Sequence, residues 1–249
     1  MNKLTVIIPC FNNEDIIRDC LESVKWADEI LVCDSFSTDK TLEIVKEFTD
    51  RIIQQRYINS ALQKNWALPQ ARNEWVLLVD TDERVTVSLQ KEILEVLGNP
   101  QNVDGFYIPY ANFSFGRRLK YGGHWPAYQL RLFKKSKGIF SPKEVHARVQ
   151  LCGKCKKLKN YFVHIQDRDV DQIVEKFFLR YVKWEAKERL KTRKFTYAKL
   201  ILLPPAVFID KYVFKLGFLD GIGGFINANL WAIYFFLTYL HMMQWTKER

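Results

Sequence analysis

No Gly-x-Gly-x-x-Gly and no Gly-Lys-Ser/Thr loop occurs anywhere in the 249 residues. Without the glycine turns that let backbone approach a pyrophosphate, neither a dinucleotide enzyme nor a P-loop NTPase is supported. Cysteine is sparse and odd in number: Cys10, Cys20, Cys33, Cys152 and Cys155 are scattered, which excludes a disulfide framework and points to a reduced compartment, the cytoplasm. Cys152-Gly153-Lys154-Cys155 has the spacing of half a zinc site, but no second pair lies near it and His164 comes later alone. A turn built on Gly153 is the better reading. Met1 to Pro9 is too short for a targeting signal and leads directly into a strand pattern. Acidic residues are almost missing from 117–160, which hold 13 basic side chains and one acidic, whereas 1–97 hold 11 basic and 17 acidic. Residues 176–199 add 9 basic against 2 acidic, so the net charge of +10 sits in the middle and later parts of the chain. Those parts face something anionic: nucleic acid, anionic lipid or phosphorylated glycolipid.

What is present is an alternation of strands and helices. Leu4 to Pro9 is apolar and β-branched, and Asn13 can cap a helix carrying Ile17, Leu21 and Val24 on one face. Glu29 to Cys33 repeats the strand signal and ends at Asp34, and Ser37 to Asp39 supply caps for a helix with Leu42, Val45 and Phe48. Arg51 to Gln55 is a shorter strand, and Ser60 to Ala71 is helical until Pro69 kinks or restarts it. Trp75 to Val79 is a continuous apolar run, read as a strand buried on both faces, and it ends in Asp80-Thr81-Asp82-Glu83. This alternation predicts an α/β fold with a mostly parallel, Rossmann-like sheet and helices on both faces. Ligands of such sheets bind beyond the carboxyl ends of the strands, so Pro9-Cys10-Phe11-Asn12, Asp34 and Asp80 to Glu83 are expected on one rim. In an extended segment Asp80 and Asp82 point the same way and can offer oxygens to one divalent cation, which in turn can hold a diphosphate. One Asp-x-Asp is expected by chance in a chain of this length. A second copy, Asp167-Arg168-Asp169-Val170-Asp171, precedes a helical pattern and reads as a helix start.

The landmarks Val6 to Asn12, Glu29 to Asp39, Gln63-Lys64-Asn65 and Asp80 to Glu83, in that order, resemble family 2 glycosyltransferases of the GT-A fold. Within that family the chain is similar to bacterial lipopolysaccharide core enzymes that add a β-linked glucose to an inner-core heptose; Gln129 to Phe133 and Gly217 to Phe225 carry that narrower likeness. The resemblance implies a nucleotide-sugar donor, a UDP-sugar, held by Pro9, Phe11, Asn12, Asp34, Lys64 and Asp80. It also implies Mg²⁺ or Mn²⁺ on Asp80 and Asp82. Asp39 reads as a helix cap instead of a ligand.

Residues 1–165 are expected to form the catalytic domain, with a nucleotide-sugar half (1–100) and an acceptor half (101–165). In the acceptor half Gly122-Gly123-His124-Trp125-Pro126 is a loop suited to ligand approach, and Gln129 to Phe133 alternates as a strand. Trp125, Gln129 and Arg131 are candidate acceptor contacts, with Arg131 gripping phosphate or lying as a surface arginine in a basic hairpin. An inverting transfer needs a base for the acceptor hydroxyl. The family often shows a His-Glu pair after the basic strand, but here the sequence reads Glu144-Val145-His146-Ala147. Glu144 and His146 are therefore both candidate bases, with a third metal ligand as the other role for His146 and Asp104 or Glu83 as alternative bases.

Residues 166–249 are expected to be helical and membrane-associating or oligomerising. Asp171 to Lys194 reads as a basic, aromatic amphipathic helix. Gly221 to Trp245 contain no Asp, Glu, Lys or Arg, a length that can span a bilayer, although Asn227, Asn229 and His241 favour a hairpin lying in the cytoplasmic leaflet. A homo-oligomer interface is the third role for this segment. The resulting expectation is a glycosyltransferase acting on a lipopolysaccharide core or other glycolipid at the cytoplasmic face of the inner membrane. A polyprenyl-phosphate or protein glycosyltransferase can share the same donor site. A non-catalytic binder of anionic lipid or nucleic acid is the competing class, and the retained Asp34, Asp80 and Asp82 argue against it.

Overall fold

The computed structural model describes residues 2–141, 148–167 and 170–247. The chain forms two compact units, one of residues 1–110, 128–142 and 146–164, the other of residues 111–127, 143–145 and 165–249.

In the first unit β1 (Leu4–Cys10), β2 (Glu29–Asp34), β3 (Ile52–Gln54) and β4 (Trp75–Leu78) run parallel in the order β3-β2-β1-β4. The register pairs Cys10 with Asp34, Asp34 with Gln54 and Ile7 with Leu78, so the carboxyl ends of these strands finish level with one another. Even-numbered positions of β1 (Leu4, Val6, Ile8) face one core with Ile17, Cys20, Leu21 and Val24 of α1 (Ile17–Val24) and Leu89, Ile93 and Leu97 of α4 (Val87–Gly98). Ile7, Leu31, Val76 and Leu78 face the opposite core with Ala61 and Ala67 of α3 (Ser60–Ala67). Alternation across a pleat therefore buries both faces, as the unbroken apolar runs require.

Beyond β4 the sheet is mixed, which corrects the expectation of a mostly parallel one. It continues β4-β8-β6-β12-β5, where β5 is Glu83–Val85, β6 Gly105–Ser114, β8 Ala127–Lys134 and β12 Phe162–Asp167. β8 pairs antiparallel with β4, and β12 antiparallel with β5. β11 (Cys155–Lys157) joins β6, and β9 (Gly138–Phe140) forms a separate hairpin with β10 (Val149–Leu151).

Local chemistry sets the helix ends. Asp39 accepts from Thr41 N–H one residue ahead of the N-cap position of α2 (Thr41–Lys46), which is Lys40 and carries no side-chain cap. α3 stops at Ala67, and Pro69 sits in a 3₁₀ turn, Leu68–Gln70. Asn13 does not act as a side-chain cap. Its Oδ1 accepts from Phe11 N–H and the Thr81 hydroxyl, and α1 begins only at Ile17.

In the second unit β7 (Arg117–Leu119) pairs with the far end of β6 at residues 112–114. α5 (Val170–Ile173) continues through a π-helical stretch, Val174–Tyr181, into α6 (Val182–Thr192). α7 (Tyr197–Ile209) runs through Pro204 and Pro205 into a second π turn, Asp210–Phe214. A 3₁₀ turn, Gly217–Asp220, then leads to α8 (Ile222–Lys247). Ala186, Tyr239 and Met242 form the small core, with Leu200 and Leu203 against it. Any Cβ at Gly217 would lie 2.5 Å from the Lys211 carbonyl oxygen, so the turn closes only on glycine. No helix among the described residues is long and apolar enough to cross a membrane.

Candidate active site

The level strand ends gather the polar rim. Asp34 closes β2 fully buried, and it accepts from the Ser37 hydroxyl at 2.5 Å, from Ser37 N–H and from Gln54 Nε2 at 2.9 Å. Ser37 in turn accepts from Asn12 N–H, while Asn12 Oδ1 accepts from Thr38 N–H. Asn12 and Phe36 both take positive φ, 48° and 63°, conformations that non-glycine residues adopt mainly at tight or functional turns. The rings of Phe11 and Phe36 are thereby left 54% and 53% exposed on the rim loops. Phe36 was not picked out from the sequence, although an aromatic between Asp34 and Ser37 was the available signal.

At the end of β4, Asp80 is held from two sides. Lys64 Nζ reaches Oδ1 at 2.7 Å and Arg131 Nη2 reaches Oδ2 at 2.8 Å. Arg131 also donates to Glu83 Oε1 at 2.8 Å and, through Nε, to the Tyr110 hydroxyl at 2.5 Å. Glu83 Oε2 accepts from Asp80 N–H, closing a buried network. The β4–β8 pairing explains the meeting: Leu77 faces Leu132, which brings Arg131 to the rim. Burial alone would raise the Asp80 pKa, but the charges of Lys64 and Arg131 overcome it and hold the carboxyl below the usual carboxylate range. For Glu83, burial prevails and its pKa is raised despite Arg131. Burial likewise pushes the Tyr110 phenol up.

Arg131 is thus neither a surface arginine nor open to an acceptor phosphate; it is 7% exposed and ties three groups together. Lys64, expected at the diphosphate end, does sit on the rim, with its ammonium 5.6 Å from the Phe140 ring centroid. Asn65 clamps the Phe140 backbone in both directions, its amide donating to the carbonyl and its Oδ1 accepting from N–H.

Asp82, expected to share a cation with Asp80, instead lies near His164, with Oδ2 3.7 Å from Nε2. Asp82, Glu83 and His164 each offer one ligand atom, all within 4.8 Å of one another. This is the group of three such residues found among those described. The β5–β12 register places His164 opposite Glu83. His164 was seen in the sequence only as an isolated histidine after a cysteine pair, because nothing local signals an antiparallel partner.

Glu144 and His146 lie outside the described residues. Their flanks are joined, since Ser141 N–H donates to the Arg148 carbonyl at 3.0 Å above the β9–β10 hairpin. Asp104, the alternative base, bonds Lys134, which faces Trp75 at the start of β4 and so belongs to the opposite end of the sheet from Asp80. Gln129 is exposed on β8. Trp125 belongs to the second unit, where the Arg118 guanidinium lies 4.9 Å from its ring. Cys152 and Cys155 are exposed free thiols.

The lipopolysaccharide core biosynthesis glycosyltransferase LpsC of Rhizobium meliloti is 27% identical over 243 residues, covering 94% of this chain and 90% of that protein. A poly(ribitol-phosphate) beta-glucosyltransferase of Bacillus spizizenii is 28% identical over 133 residues, 45% of this chain and 21% of its own length. Among solved structures, S. aureus TarS 1-349 in complex with UDP-GlcNAc is similar with a TM-score of 0.50 at 17% identity, covering 99% of this chain and 92% of that one, a likeness of fold. The family model for glycosyl transferase family 2 matches residues 5–152, more than half of the sequence. The chain therefore belongs to glycosyltransferase family 2 and is a glycosyltransferase of the GT-A fold.

Proposed function

We propose that the protein is an inverting, metal-dependent hexosyltransferase that moves glucose from UDP-glucose onto a lipopolysaccharide inner-core heptose or a related membrane glycolipid. We place it at the cytoplasmic face of the inner membrane, as a peripheral or monotopic protein. Its similarity along 94% of the chain to a lipopolysaccharide core glycosyltransferase supports the acceptor class.

The observation that carries the donor reading is the rim cluster of Lys64, Asp80, Arg131, Glu83, Asp82 and His164. Three carboxylates face two permanent cations there, leaving an excess of negative charge beside a lysine. Two carboxylates and an imidazole converging within 4.8 Å fit a divalent cation, and the nitrogen donor suits Mn²⁺ better than Mg²⁺, which prefers oxygen alone. Asp82 and His164 would hold it, with Glu83 beside them. A cation bound there would stabilise the diphosphate leaving group as a Lewis acid.

The chain's own residues then have separate tasks. Asp34 has its oxygens engaged by Ser37 and Gln54, so it orders the loop that presents Asn12 and the exposed Phe11 ring to the nucleoside. Arg131 fixes the Asp80 carboxylate, and Asp80 aims the Lys64 ammonium, which adds positive charge at the diphosphate. The acceptor oxygen attacks the anomeric carbon as the bond to diphosphate breaks, and its proton passes to a base. Glu144 or His146 serves as that base, from a segment whose flank at Phe140 packs beneath Lys64. Gln129, exposed on β8, contacts the acceptor.

Calorimetric titration with UDP, with and without Mn²⁺, tests the donor site. Metal-dependent binding is expected; no binding with either Mn²⁺ or Mg²⁺ would refute a UDP-sugar donor. Asp82→Ala should abolish turnover with an unchanged circular dichroism spectrum, and an active variant would sink the metal assignment. Glu144→Gln and His146→Ala, assayed separately, decide the base.

A further inference from the structure

The second unit carries apolar surface that its own core does not use. From Leu200 to Ile209 α7 has no charged residue, yet none of its side chains is buried, and Ile201 and Leu202 are 66% and 65% exposed. A helix that is apolar on every side is ordinarily buried in a core or in a membrane. The surface continues into the turn that joins α7 to α8, where Val213, Phe214, Leu216, Phe218, Leu219 and Ile222 are 45% to 77% exposed. Backbone bonds fix that turn: Lys215 N–H donates to the Asp210 carbonyl, Leu216 N–H to Val213, Leu219 N–H to Leu216 and Gly221 N–H to Phe218. Single exposed apolar residues are ordinary, but six of them within one ordered turn make a patch of the kind that marks an interaction site.

A cationic and aromatic border adjoins the patch. The loop 120–126 is bonded to the same turn: Asp220 accepts from Lys120 N–H and Tyr121 N–H, Gly122 N–H donates to the Lys215 carbonyl at 2.8 Å, and His124 Nε2 lies 2.7 Å from Asn227 Oδ1. The loop thereby sets the exposed Lys120 and the partly exposed rings of Tyr121 and Trp125 beside the apolar turn, with the exposed Arg117 just before them on β7. At the other end of α7, Arg193, Lys194 and Lys199 are exposed. The two acidic residues of 197–247 are both engaged, Asp210 by Lys215 at 2.6 Å and Asp220 by the loop. The strip is thus apolar along its length and cationic at both ends. Lysine and amphipathic rings bordering an apolar face suit the boundary between water and an anionic bilayer.

We propose that the α7 face and the 213–222 turn insert into the surface of an anionic bilayer, with Lys120, Tyr121 and Trp125 at headgroup level. A second copy of this chain fits the strip less well, because a two-fold contact through it would bring together two cationic borders whose nearby carboxylates are already used. The inference rests on the proposed membrane location and deepens it, by naming the surface that meets the lipid. It also sets loop 120–126, which holds the acceptor candidate Trp125, at the depth where the sugars of a membrane glycolipid begin.

The test is sedimentation of the full-length protein with phosphatidylglycerol vesicles and with phosphatidylcholine vesicles. Phe214→Ser combined with Leu219→Ser should weaken binding to phosphatidylglycerol about tenfold or more, with an unchanged circular dichroism spectrum. Ile139→Ser, which removes an apolar side chain 58% exposed on β9, should change nothing. Lys120→Gln should weaken binding to phosphatidylglycerol about fivefold and leave phosphatidylcholine unaffected. Undiminished binding by the double variant would overturn the surface and leave the membrane location standing, whereas a parent protein that binds neither vesicle would overturn both. A parent that is dimeric without lipid and becomes monomeric in the double variant would overturn the proposal in favour of a second copy. UDP binding by the double variant is expected to be unchanged, which separates the lipid surface from the donor site.

Discussion

Replacing Arg131 by methionine tests whether the rim is organised from beneath. The side chain is 8% exposed, it bonds Asp80, Glu83 and the Tyr110 phenol, and methionine keeps most of its apolar bulk. What is lost is the charge that compensates two carboxylates, one of them only 1% exposed. Removing one partner of a buried ion pair costs about 3–5 kcal/mol, because the remaining charge must be neutralised or rehydrated. Glu83 can relieve part of this by binding a proton, since burial already raises its pKa, so the lower half of that range is expected. For a chain of this size about 3 kcal/mol lowers Tm by roughly 6–12 °C. A surface arginine serving only to grip an acceptor would cost no more than about 0.5 kcal/mol. Urea denaturation of Arg131→Met and of Arg131→Met combined with Glu83→Gln separates these cases, because the second change removes the orphaned charge and should recover part of the loss. Stability of Arg131→Met within 0.5 kcal/mol of the parent would refute the network as the support of Asp80.

Lys64→Gln should weaken UDP binding at least tenfold by calorimetry, since in the proposed donor site it removes a cation that faces the diphosphate, and it leaves Asp80 unopposed on one side. Glu29 is buried at the opposite end of β2, where burial would raise its pKa, but the Thr5 hydroxyl, Arg72 N–H and Arg51 together lower it. A depressed carboxylate contributes stability that is present above its unfolded value and is lost as pH falls through its folded one. Glu29→Gln should therefore be less stable than the parent at pH 7, with the difference shrinking below about pH 4, as acid denaturation will show. Lys211 has the reverse sign: with a folded pKa near 8 it binds fewer protons than in the unfolded chain, so its penalty is complete below pH 8 and fades as pH rises toward 10.5. Lys211→Met should be about 1–3 kcal/mol more stable at pH 7 and no more stable at pH 10.5, measured by urea denaturation in the absence of lipid.

How much of this was legible before the fold depended on whether the information was local. The β1 and β4 runs and the break at Pro69 are written in a few adjacent residues, and the structure has each of them where the pattern puts it. The rim followed as well, because parallel register alone makes the ends of β1, β2 and β4 level. The partners on that rim did not follow. Arg131 meets Asp80 across 51 residues, through an antiparallel strand where a one-residue slip would have turned it to the other face. A phosphate-gripping arginine and a buried positioning arginine have the same neighbours in sequence, and only the register tells them apart. The same holds for His164, whose pairing with Glu83 depends on a three-residue strand, β5, too short to carry an alternating pattern. Asn13 failed for a different reason: its side chain had two competing uses, capping α1 or holding the loop at Thr81, and the second won because it satisfies two donors at once. Chemistry-bearing residues were thus readable as types from the sequence, while their roles were decided by non-local pairing. A substitution that shifts the β4–β8 register, such as a deletion in 135–137, should therefore abolish donor binding while leaving Asp34, Asp80 and Asp82 all in place.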